Sequence, residues 1–354
     1  MLDFFDNIDT KSLMFNTSEQ FINKISKLLD EQEKWVKHIT VGQSREGRTI
    51  HGFRAGNGSE KIALLAGAHS DEPVGPQMLR LFLEQLLKTS SNVKSLLQRY
   101  TFIIIPHINP DGEQKNWSWI KQWPDAGAYI KHAFREEPGE DLEFGYPDMR
   151  IENRAVSSFL EQFSPYRLYI NFHGMGFAEG IMLLIERGWI DDTEILREQF
   201  RHLAADNELP LHDHDRKGEK GFRYIGPGFT TTPEGRAMQQ HFRQKGEDET
   251  ASKFHLSSME FVQELGGHPL CLVTELPLFL ISSLNINNAE KGIPKTYLAF
   301  KEKLPELRRR LMNYEPIQPI TKNFDITPIP LSTAVRIQLQ IIKSALHTVD
   351  DSQD

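Results

Sequence analysis

The sequence lacks a disulfide framework, basic runs and long apolar segments. It contains one cysteine, Cys271, and a single cysteine cannot form an internal disulfide. Because Leu270 and Leu272 flank it, we expect Cys271 to be an inert core thiol. The net charge is −8 and no basic cluster is present, which argues against a nucleic-acid partner. No stretch approaches the roughly 20 apolar residues that cross a bilayer, so we expect no membrane partner either.

The N-terminus does not resemble a secretory signal. The segment MLDFFDNIDTKSLMF carries acidic residues where a signal peptide carries basic ones, and no long apolar segment follows. Together with the single cysteine, this predicts a cytoplasmic protein. The hydrophobic fraction of 39% and the charged fraction of 25% are those of an ordinary globular protein. The sequence leaves the oligomeric state open.

Apolar strand patterns alternate with amphipathic helix patterns along the chain. This alternation predicts an α/β fold, a three-layer sandwich with a central mixed β-sheet and helices on both faces. The predicted strands are 62–66, 102–105, 168–172 and 271–274, and the main predicted helices are 18–36, 78–88, 154–163 and 332–347. Residues 211–257 show little periodicity and are predicted to be long surface loops. We divide the chain into an N-terminal helical lead (1–36), a catalytic domain (37–314) and a C-terminal extension with a terminal helix (315–354).

Polar residues follow the predicted central strands. His69 and Glu72 come after the first, Asn109–Gly112 after the second, His173 after the third and Glu275 after the fourth. The carboxyl ends of such strands are where open α/β sheets bind ligands. Two imidazoles and one carboxylate can hold a catalytic Zn²⁺ and leave a fourth position for water. A further carboxylate beside that water can act as a general base.

Several motifs, taken in order, resemble the zinc carboxypeptidases of the carboxypeptidase A/B type. They run from about residue 40 to 280, and their order and spacing make the match more specific than any one of them. The motifs are VGQSREGRTI (41–50), AHSDE, HINPDG, IENRAVSSFLEQFSPYRLYINFHG and LVTELP.

The resemblance implies a zinc peptidase with one bound Zn²⁺ and a peptide or peptide-like substrate. His69, Glu72 and His173 would ligate the zinc ion. Glu275 would activate the attacking water and then protonate the leaving amine. Asp141, in GEDLEFGYP, falls where the family has an aspartate that hydrogen-bonds the first metal histidine.

The substrate-binding positions depart from the family pattern. Glu143 and Phe144 stand where the family has an Asn and an Arg that grip the substrate's terminal carboxylate. A carboxylate and a phenyl ring cannot replace a bidentate arginine. No Arg occurs from Asp111 to Phe134, where the family has one that stabilises the oxyanion, so Lys121 is our candidate there. The tyrosine expected about twenty residues before the general base is also missing.

Two interpretations of the altered clamp remain open. A basic residue from elsewhere can grip the substrate, either Arg150 with Arg154 or Arg216 with Arg223 in the long loop. Alternatively, Glu143 faces the substrate and attracts a cationic group.

A second pair of histidines lies in that loop. His212 and His214, in LHDHDRKG, suggest a second metal site, but a solvated loop is the favoured interpretation.

The sequence therefore predicts a zinc-dependent hydrolase that cleaves an amide bond in a peptide or peptide-like substrate. One alternative is an N-acyl amino acid hydrolase resembling the aspartoacylase and succinylglutamate desuccinylase branch. Another is a zinc-binding protein without catalysis. The motifs GQSREGR and NPDG favour the peptidase over the first alternative. Glu275 argues against the second, because a structural zinc site needs no base.

Overall fold

The alternating strands and helices form one mixed β-sheet covered by helices in the computed structural model, which describes residues 1–88, 90–283, 285–286 and 290–352. The strands are β1 (Val36–Gln43), β2 (Thr49–Ala55), β3 (Glu60–Ala66), β4 (Tyr100–Ile105), β5 (Leu168–Ala178), β6 (Met182–Ile185), β7 (Tyr224–Gly226), β8 (Phe229–Thr231), β9 (Leu270–Ser283) and β10 (Phe324–Pro328). Their order across the sheet is β1-β2-β4-β3-β5-β9-β6-β8-β7, and β10 pairs with β9.

Helices fill most of the connections between strands. They are α1 (Ser18–Glu31), α2 (Val74–Leu86), α3 (Ser91–Arg99), α4 (Pro110–Ile120), α5 (Ala126–His132), α6 (Ile151–Phe163), α7 (Glu194–Asp206), α8 (Gly235–Gln244), α9 (Asp248–Ser252), α10 (Ser258–Glu264), α11 (Lys295–Met312), α12 (Gln318–Thr321) and α13 (Leu331–Asp351). In the part of the chain that is described, none of them combines the length and apolar character of a membrane span.

The central strands are buried on both faces, which explains their unbroken apolar runs. Alternate residues of β3 enter different hydrophobic clusters. Ile62 and Leu64 pack in the cluster that contains α2 and α13, whereas Ala63 and Leu65 pack in the cluster that contains α6. The sheet therefore separates two cores, and the predicted three-layer sandwich is confirmed.

Strands β5 and β9 run beyond their predicted ends. They pair in parallel from Leu168 opposite Leu270 to Ala178 opposite Leu280. His173 and Glu275 therefore lie within paired strands rather than just after them. The apolar sequence pattern stops at these residues because they face a cavity, but the backbone ladder continues.

The two predicted terminal segments share the main core with the central part of the chain. Phe5 of the N-terminal segment stacks on Phe82 at 5.7 Å between ring centroids, and Phe21 of α1 packs on Phe53 at 6.2 Å. At the other end, β10 adds a strand beside β9, and α13 packs against α2 and α7. Elements outside residues 37–314 thus help to complete the sandwich.

Residues 211–257 are not simply surface loops. They contain β7, β8, α8 and α9, of which the strands have three residues each. The strands and α9, which has five residues, carry too few positions to produce a readable period, whereas the ten-residue helix α8 was missed by the sequence analysis. Phe242 and Phe254 of this region pack in a small hydrophobic cluster of their own with Phe144.

Candidate metal centre

A glycine turn delivers the first two candidate ligands. Gly67 follows β3 with φ of 79°, and a Cβ at this position would lie 2.3 Å from Nδ1 of His107. Both the left-handed backbone and the close approach require glycine. The chain then presents His69 and Glu72 before α2 begins at Val74.

His173 on β5 meets these two side chains. Nδ1 of His173 lies 3.0 Å from Nδ1 of His69 and 3.1 Å from Oε2 of Glu72. Nδ1 of His69 lies 3.0 Å from Oε1 of Glu72. One donor atom from each residue falls within 4.8 Å of the others. The three residues predicted to ligate a metal are therefore brought together.

This donor set fits a zinc ion. Two neutral imidazoles and a carboxylate suit Zn²⁺ in a catalytic site, where the remaining coordination position stays open. Glu72 and His173 are buried, and His69 is partly exposed to the cavity. Within the described ranges, this is the one group of His, Cys, Asp or Glu that meets the geometric requirement for a metal site.

Glu275 lies beside this group on the next strand. It is the register partner of His173 in the parallel β5–β9 pair, and it lines the same cavity. Its Oε2 atom is buried without a hydrogen-bond partner among the described residues. Burial, with the nearby Glu72 carboxylate, raises the pKa of Glu275 to about 7. A carboxyl group of this kind can both accept and donate a proton near neutral pH.

Glu143 lines the cavity and also contacts His173. Its Oε2 atom lies 3.2 Å from Nε2 of His173 and accepts a hydrogen bond from Nδ2 of Asn171 at 2.8 Å. Its Oε1 atom accepts from Oγ of Ser258 at 2.8 Å. Both oxygens already have protein partners, and the interpretation that Glu143 attracts a cationic substrate group stays a prediction. A carboxylate on the second nitrogen of a ligating histidine orients the ring.

Asp141 takes a different place from the one that the resemblance implied. Its Oδ1 atom accepts the backbone N–H of Glu143 at 2.9 Å, and no hydrogen bond joins it to His69 in the described structure. Asp141 is buried in the cavity wall, and burial raises its pKa. Asp141 therefore positions the backbone of Glu143, and it is Glu143 that contacts a metal-site histidine.

The remaining predicted substrate residues lie elsewhere. Arg150 is buried and forms an ion pair with Glu152, with Nη2 and Oε1 3.1 Å apart. Lys121 is exposed at the C-terminal end of α4. Neither lines the cavity, so both assignments are corrected. Arg150 fails because a buried guanidinium needs a carboxylate partner and finds Glu152 locally; Lys121 fails because it follows the last turn of α4.

Arg135 is a cavity residue that the sequence interpretation missed. Its Nε atom donates to Oδ1 of Asp71 at 2.6 Å, and its Nη2 atom contacts Oε1 of Glu72. Tyr129 also donates to Asp71, at 2.9 Å from Oδ2. The interval from Asp111 to Phe134, in which the sequence has no arginine, ends one residue before Arg135.

The HINPDG motif holds the segment that carries Arg135. Asn109 caps α4 through Gly112, and its Nδ2 atom donates to Oε1 of Glu136 at 2.6 Å. Oγ of Ser70 lies 2.8 Å from the other oxygen of Glu136. Glu136 is thus fixed next to Arg135. The motif begins a helix as well as a turn, and its role is structural.

The VGQSREGRTI motif is tied to the same helix. Asp111 accepts hydrogen bonds from Oγ of Ser44 at 2.6 Å, from the backbone of Glu46 at 3.0 Å and from Nη1 of Arg48 at 2.7 Å. The two motifs quoted from the sequence therefore contact each other. Their contacts hold α4 near the metal-site segment.

Beyond the metal residues the cavity has an aromatic wall formed by Phe144, Phe242 and Phe254. The cavity has a volume of about 890 Å³. Phe254 packs edge-on against Phe144, with centroids 5.5 Å apart, and stacks on Phe242 at 5.1 Å. Phe144 of this wall stands at the sequence position where the family resemblance implied a carboxylate-binding arginine.

Basic side chains also line the cavity. Besides Arg135 these are Arg216, Lys220, Lys301 and Arg308. Of the four arginines proposed to grip the substrate, Arg216 reaches the cavity, whereas Arg154 and Arg223 are exposed outside its lining.

His212 and His214 do not form a solvated loop pair. His212 is buried, and its ring centroid lies 5.6 Å from that of His214. Burial lowers the pKa of His212 to about 3 and that of His214 to about 4. No third ligand joins them in the part of the chain that is described. They are neutral packing residues next to Tyr297.

Comparison with known proteins supports the same type of site. Residues 21–183 match the family model of the zinc carboxypeptidases, Peptidase_M14. This match includes His69, Glu72 and His173 and ends before Glu275. Zinc carboxypeptidase A 1 of Anopheles gambiae is 25% identical over 147 residues, which cover 40% of this chain and 34% of that protein. A metallo-carboxypeptidase structure from Burkholderia cenocepacia has a TM-score of 0.50 and 14% identity, covering 95% of this chain and 70% of that one.

The curated similarities are partial. The chain matches about a third of the length of the first curated relatives. A further relative, from Blastomyces gilchristii, is named Inactive metallocarboxypeptidase ECM14; it is 31% identical over 118 residues, which cover 30% of this chain and 20% of that protein.

Proposed function

We propose that this chain, of which residues 21–183 match the zinc carboxypeptidase family model, is a zinc-dependent hydrolase that cleaves an amide bond in a peptide or peptide-like substrate. One observation carries the proposal: the donor atoms of His69, Glu72 and His173 converge within 4.8 Å beside the carboxyl group of Glu275, whose Oε2 atom is buried. Metal ligands explain the first three residues, but a site that merely held a metal has no use for the fourth.

His69, Glu72 and His173 would hold one Zn²⁺. When bound, zinc supplies Lewis acidity, which polarises a carbonyl oxygen and lowers the pKa of a water molecule to about 7. Glu143 orients His173 through its Nε2 atom, 3.2 Å away. Asn171 and Ser258 hold Glu143 in turn, so the imidazole is fixed by a chain of buried hydrogen bonds.

Glu275 is the proton carrier in this proposal. Its carboxyl group, with the unpartnered Oε2 atom, lines the same cavity as the three metal-binding residues, and burial raises its pKa to about 7. It takes a proton from the attacking water and later gives it to the leaving amine. General acid–base catalysis of this kind contributes about 10²- to 10⁴-fold in rate.

Arg135 replaces Lys121 as the cation beside the reacting carbonyl. Its Nε and Nη2 atoms are held by Asp71 and Glu72, which leaves Nη1 without a partner among the described residues. Its side chain is 44% exposed to the cavity. A guanidinium fixed at two points can stabilise negative charge that develops on the substrate oxygen.

We also propose a cytoplasmic location. The observation that favours it is the single, buried Cys271, since a reducing compartment needs no disulfides.

A second candidate function is zinc binding without catalysis. It is favoured by the absent carboxylate clamp at Glu143 and Phe144 and by the similarity to a relative that is named inactive. An N-acyl amino acid hydrolase is the remaining enzymatic alternative, because its substrate needs no peptide-binding cleft. Turnover separates these candidates, and zinc content alone does not.

The test is hydrolysis of a mixed substrate panel by the zinc-loaded protein. The panel contains free-carboxyl peptides, C-terminally amidated peptides, peptides with D-amino acids and N-acyl amino acids. Peptide turnover that disappears in Glu275→Gln with unchanged zinc content supports the proposal. Turnover confined to N-acyl amino acids selects the alternative enzyme. Stoichiometric zinc with no turnover of any substrate selects the binding protein.

A further inference from the structure

Several acidic side chains near the metal centre are already occupied by protein partners. Asp71 pairs with Arg135, and both oxygens of Glu136 are held by Asn109 and Ser70. Glu143 is held by Asn171, Ser258 and His173. The cavity therefore offers few free carboxylates to a cationic substrate group.

The opposite holds for three of its basic side chains. Arg216, Lys220 and Lys301 line the cavity, and within the described ranges none of them forms an ion pair or a side-chain hydrogen bond. Each head group instead lies near an aromatic ring. The guanidinium carbon of Arg216 is 4.2 Å from the ring centroid of Phe222, and Nζ of Lys220 is 5.8 Å from that of Phe242. Nζ of Lys301 lies 5.8 Å from the ring centroid of Tyr297.

The backbone holds Lys220 at the cavity in an unusual conformation. Lys220 has φ of 57° and ψ of 21°, between Gly218 and Gly221, which also have positive φ. A lysine in the left-handed region is uncommon and costs free energy that the surrounding turn must offset. The half-buried ammonium group has Arg216 and Lys301 as neighbours. Burial, and then the charge of Arg216, lowers the pKa of Lys220.

Lys220 lies next to the aromatic wall, and Arg216 lies over Phe222, a further aromatic residue of the cavity lining. Phe242, which Lys220 approaches, belongs to the aromatic wall with Phe144 and Phe254. A peptide side chain that is apolar can pack on this wall, and an adjacent anionic group can meet Arg216 and Lys220. Charge-assisted hydrogen bonds to a carboxylate relieve the repulsion between the two unpaired cations.

We propose that Arg216 and Lys220, assisted by the exposed Lys301, form a carboxylate-binding subsite on the aromatic wall. The preferred substrates are then peptides that carry an acidic residue next to a large apolar residue. This inference rests on the proposed hydrolase function, because it names the substrate class of the same cavity. The subsite would supply the anion-binding group that is missing at the sequence positions of Glu143 and Phe144.

Binding without turnover tests the subsite separately from catalysis. The protein is zinc-loaded Glu275→Gln, and calorimetry measures its affinity for two isosteric probes. Acetyl-Phe-Glu carries two carboxylates, whereas acetyl-Phe-glutamine amide carries none. The subsite variant is Arg216→Met with Lys220→Met in the same background, since methionine keeps apolar contact with the rings. The matched control is Lys217→Met, in the same loop, whose side chain is exposed and paired with Asp215.

We expect the acidic probe to bind at least tenfold more tightly than the neutral probe. The subsite variant should lose about tenfold in affinity for the acidic probe and leave affinity for the neutral probe and zinc content unchanged. Lys217→Met should change neither. Equal affinity for the two probes, no detectable binding of either, an equal loss for both probes in the subsite variant, or an equal loss in Lys217→Met overturns the subsite.

The two proposals fail in different ways. If the wild-type protein cleaves peptides but binds the acidic and neutral probes equally well, the hydrolase function is supported and the subsite is contradicted. Charge-dependent binding that the subsite variant abolishes, with no turnover by the wild-type protein, supports the subsite and removes the hydrolase function.

Discussion

Two of the clusters in which charged side chains are buried are built differently. In the first cluster Arg80 of α2 pairs with Glu113 of α4, and the second oxygen of Glu113 accepts from Ser18, at 2.8 Å from Oγ and 3.0 Å from the backbone N. One positive charge meets one negative charge. In the second cluster, at the metal centre, Glu72 and Glu275 lie beside His69 and His173, and Oε2 of Glu275 has no partner in the described structure.

The difference separates a structural cluster from a functional one. A buried carboxylate without a counter-charge is costly, and Glu113 avoids this cost by pairing with Arg80. The arginine, the neighbouring histidine His107 and the backbone of Ser18 lower the pKa of Glu113 to about 2 despite its burial. Burial instead raises the pKa of Glu275 to about 7. In the first cluster the negative charge is neutralised by a protein cation. The second cluster can bind a metal cation, and its Glu275 can carry a proton.

The largest effect should come from Glu275→Gln. Removing the proton carrier should lower kcat on a cleaved peptide by about 10³-fold, while the zinc content stays at one ion per chain. Glu264→Gln is the matched control, because Glu264 is exposed at the end of α10. Steady-state kinetics and metal analysis check both variants. A Glu275→Gln enzyme that keeps more than a tenth of the wild-type kcat contradicts the assigned role.

Glu113→Gln should destabilise the fold without affecting the chemistry. It leaves the charge of Arg80 buried and unpaired, which costs about 3 kcal/mol of the free energy of unfolding. The control is Glu84→Gln, which breaks the exposed pair with Lys24 and should cost less than about 1 kcal/mol. Urea denaturation measures both. Normal stability with reduced kcat in Glu113→Gln would remove the distinction between the two clusters.

Acid should reduce the stability difference between wild type and Glu113→Gln. The folded-state pKa of Glu113, about 2, lies below its ordinary value of 4.5, so its contribution is fully present above pH 4.5. It should be lost as the pH falls from about 4.5 towards 2. Denaturation of both proteins at a series of pH values provides the test. A difference that is constant over this range would mean that the Arg80 pair does not depress the pKa.

Glu143→Gln should give a smaller effect, on metal binding. Weakening the hydrogen bond to Nε2 of His173 should lower zinc affinity by about 10- to 100-fold. Competition with a chromophoric chelator measures this, and Glu140→Gln is the control, since Glu140 pairs with Lys253 on the surface. Unchanged zinc affinity combined with lost turnover of amine-bearing peptides would indicate instead that Glu143 binds a cationic group of the substrate.

Site residues on the central strands or just after them could be predicted from the sequence. Arg135, on the segment that connects α5 to α6, could not. His69, Glu72, His173 and Glu275 were found because strand patterns fix where the carboxyl ends of adjacent strands meet. Arg135 was missed because its position depends on Asn109 and Ser70 holding Glu136, contacts between residues far apart in sequence. The roles of Asp141 and Glu143 were exchanged for the same reason, since Ser258 of α10 fixes Glu143.

The C-terminal strand illustrates a second limit of sequence patterns. The only element predicted for the C-terminal extension (315–354) is a terminal helix, but its residues Phe324–Pro328 form a strand that pairs with β9. This pairing requires β9 to continue to Ser283, well beyond residue 274, where the predicted strand ends. Because the predicted strand ends too early, it offers no edge with which β10 could be predicted to pair.

Anomalous X-ray scattering at the zinc absorption edge, from crystals of the zinc-loaded protein, tests the central claim most directly. We predict one strong peak at about 2.0–2.2 Å from a nitrogen of His69, a nitrogen of His173 and a carboxylate oxygen of Glu72. In Glu275→Gln the peak should keep the same position. A peak at His212 and His214 instead, or no peak between His69 and His173, would contradict the account.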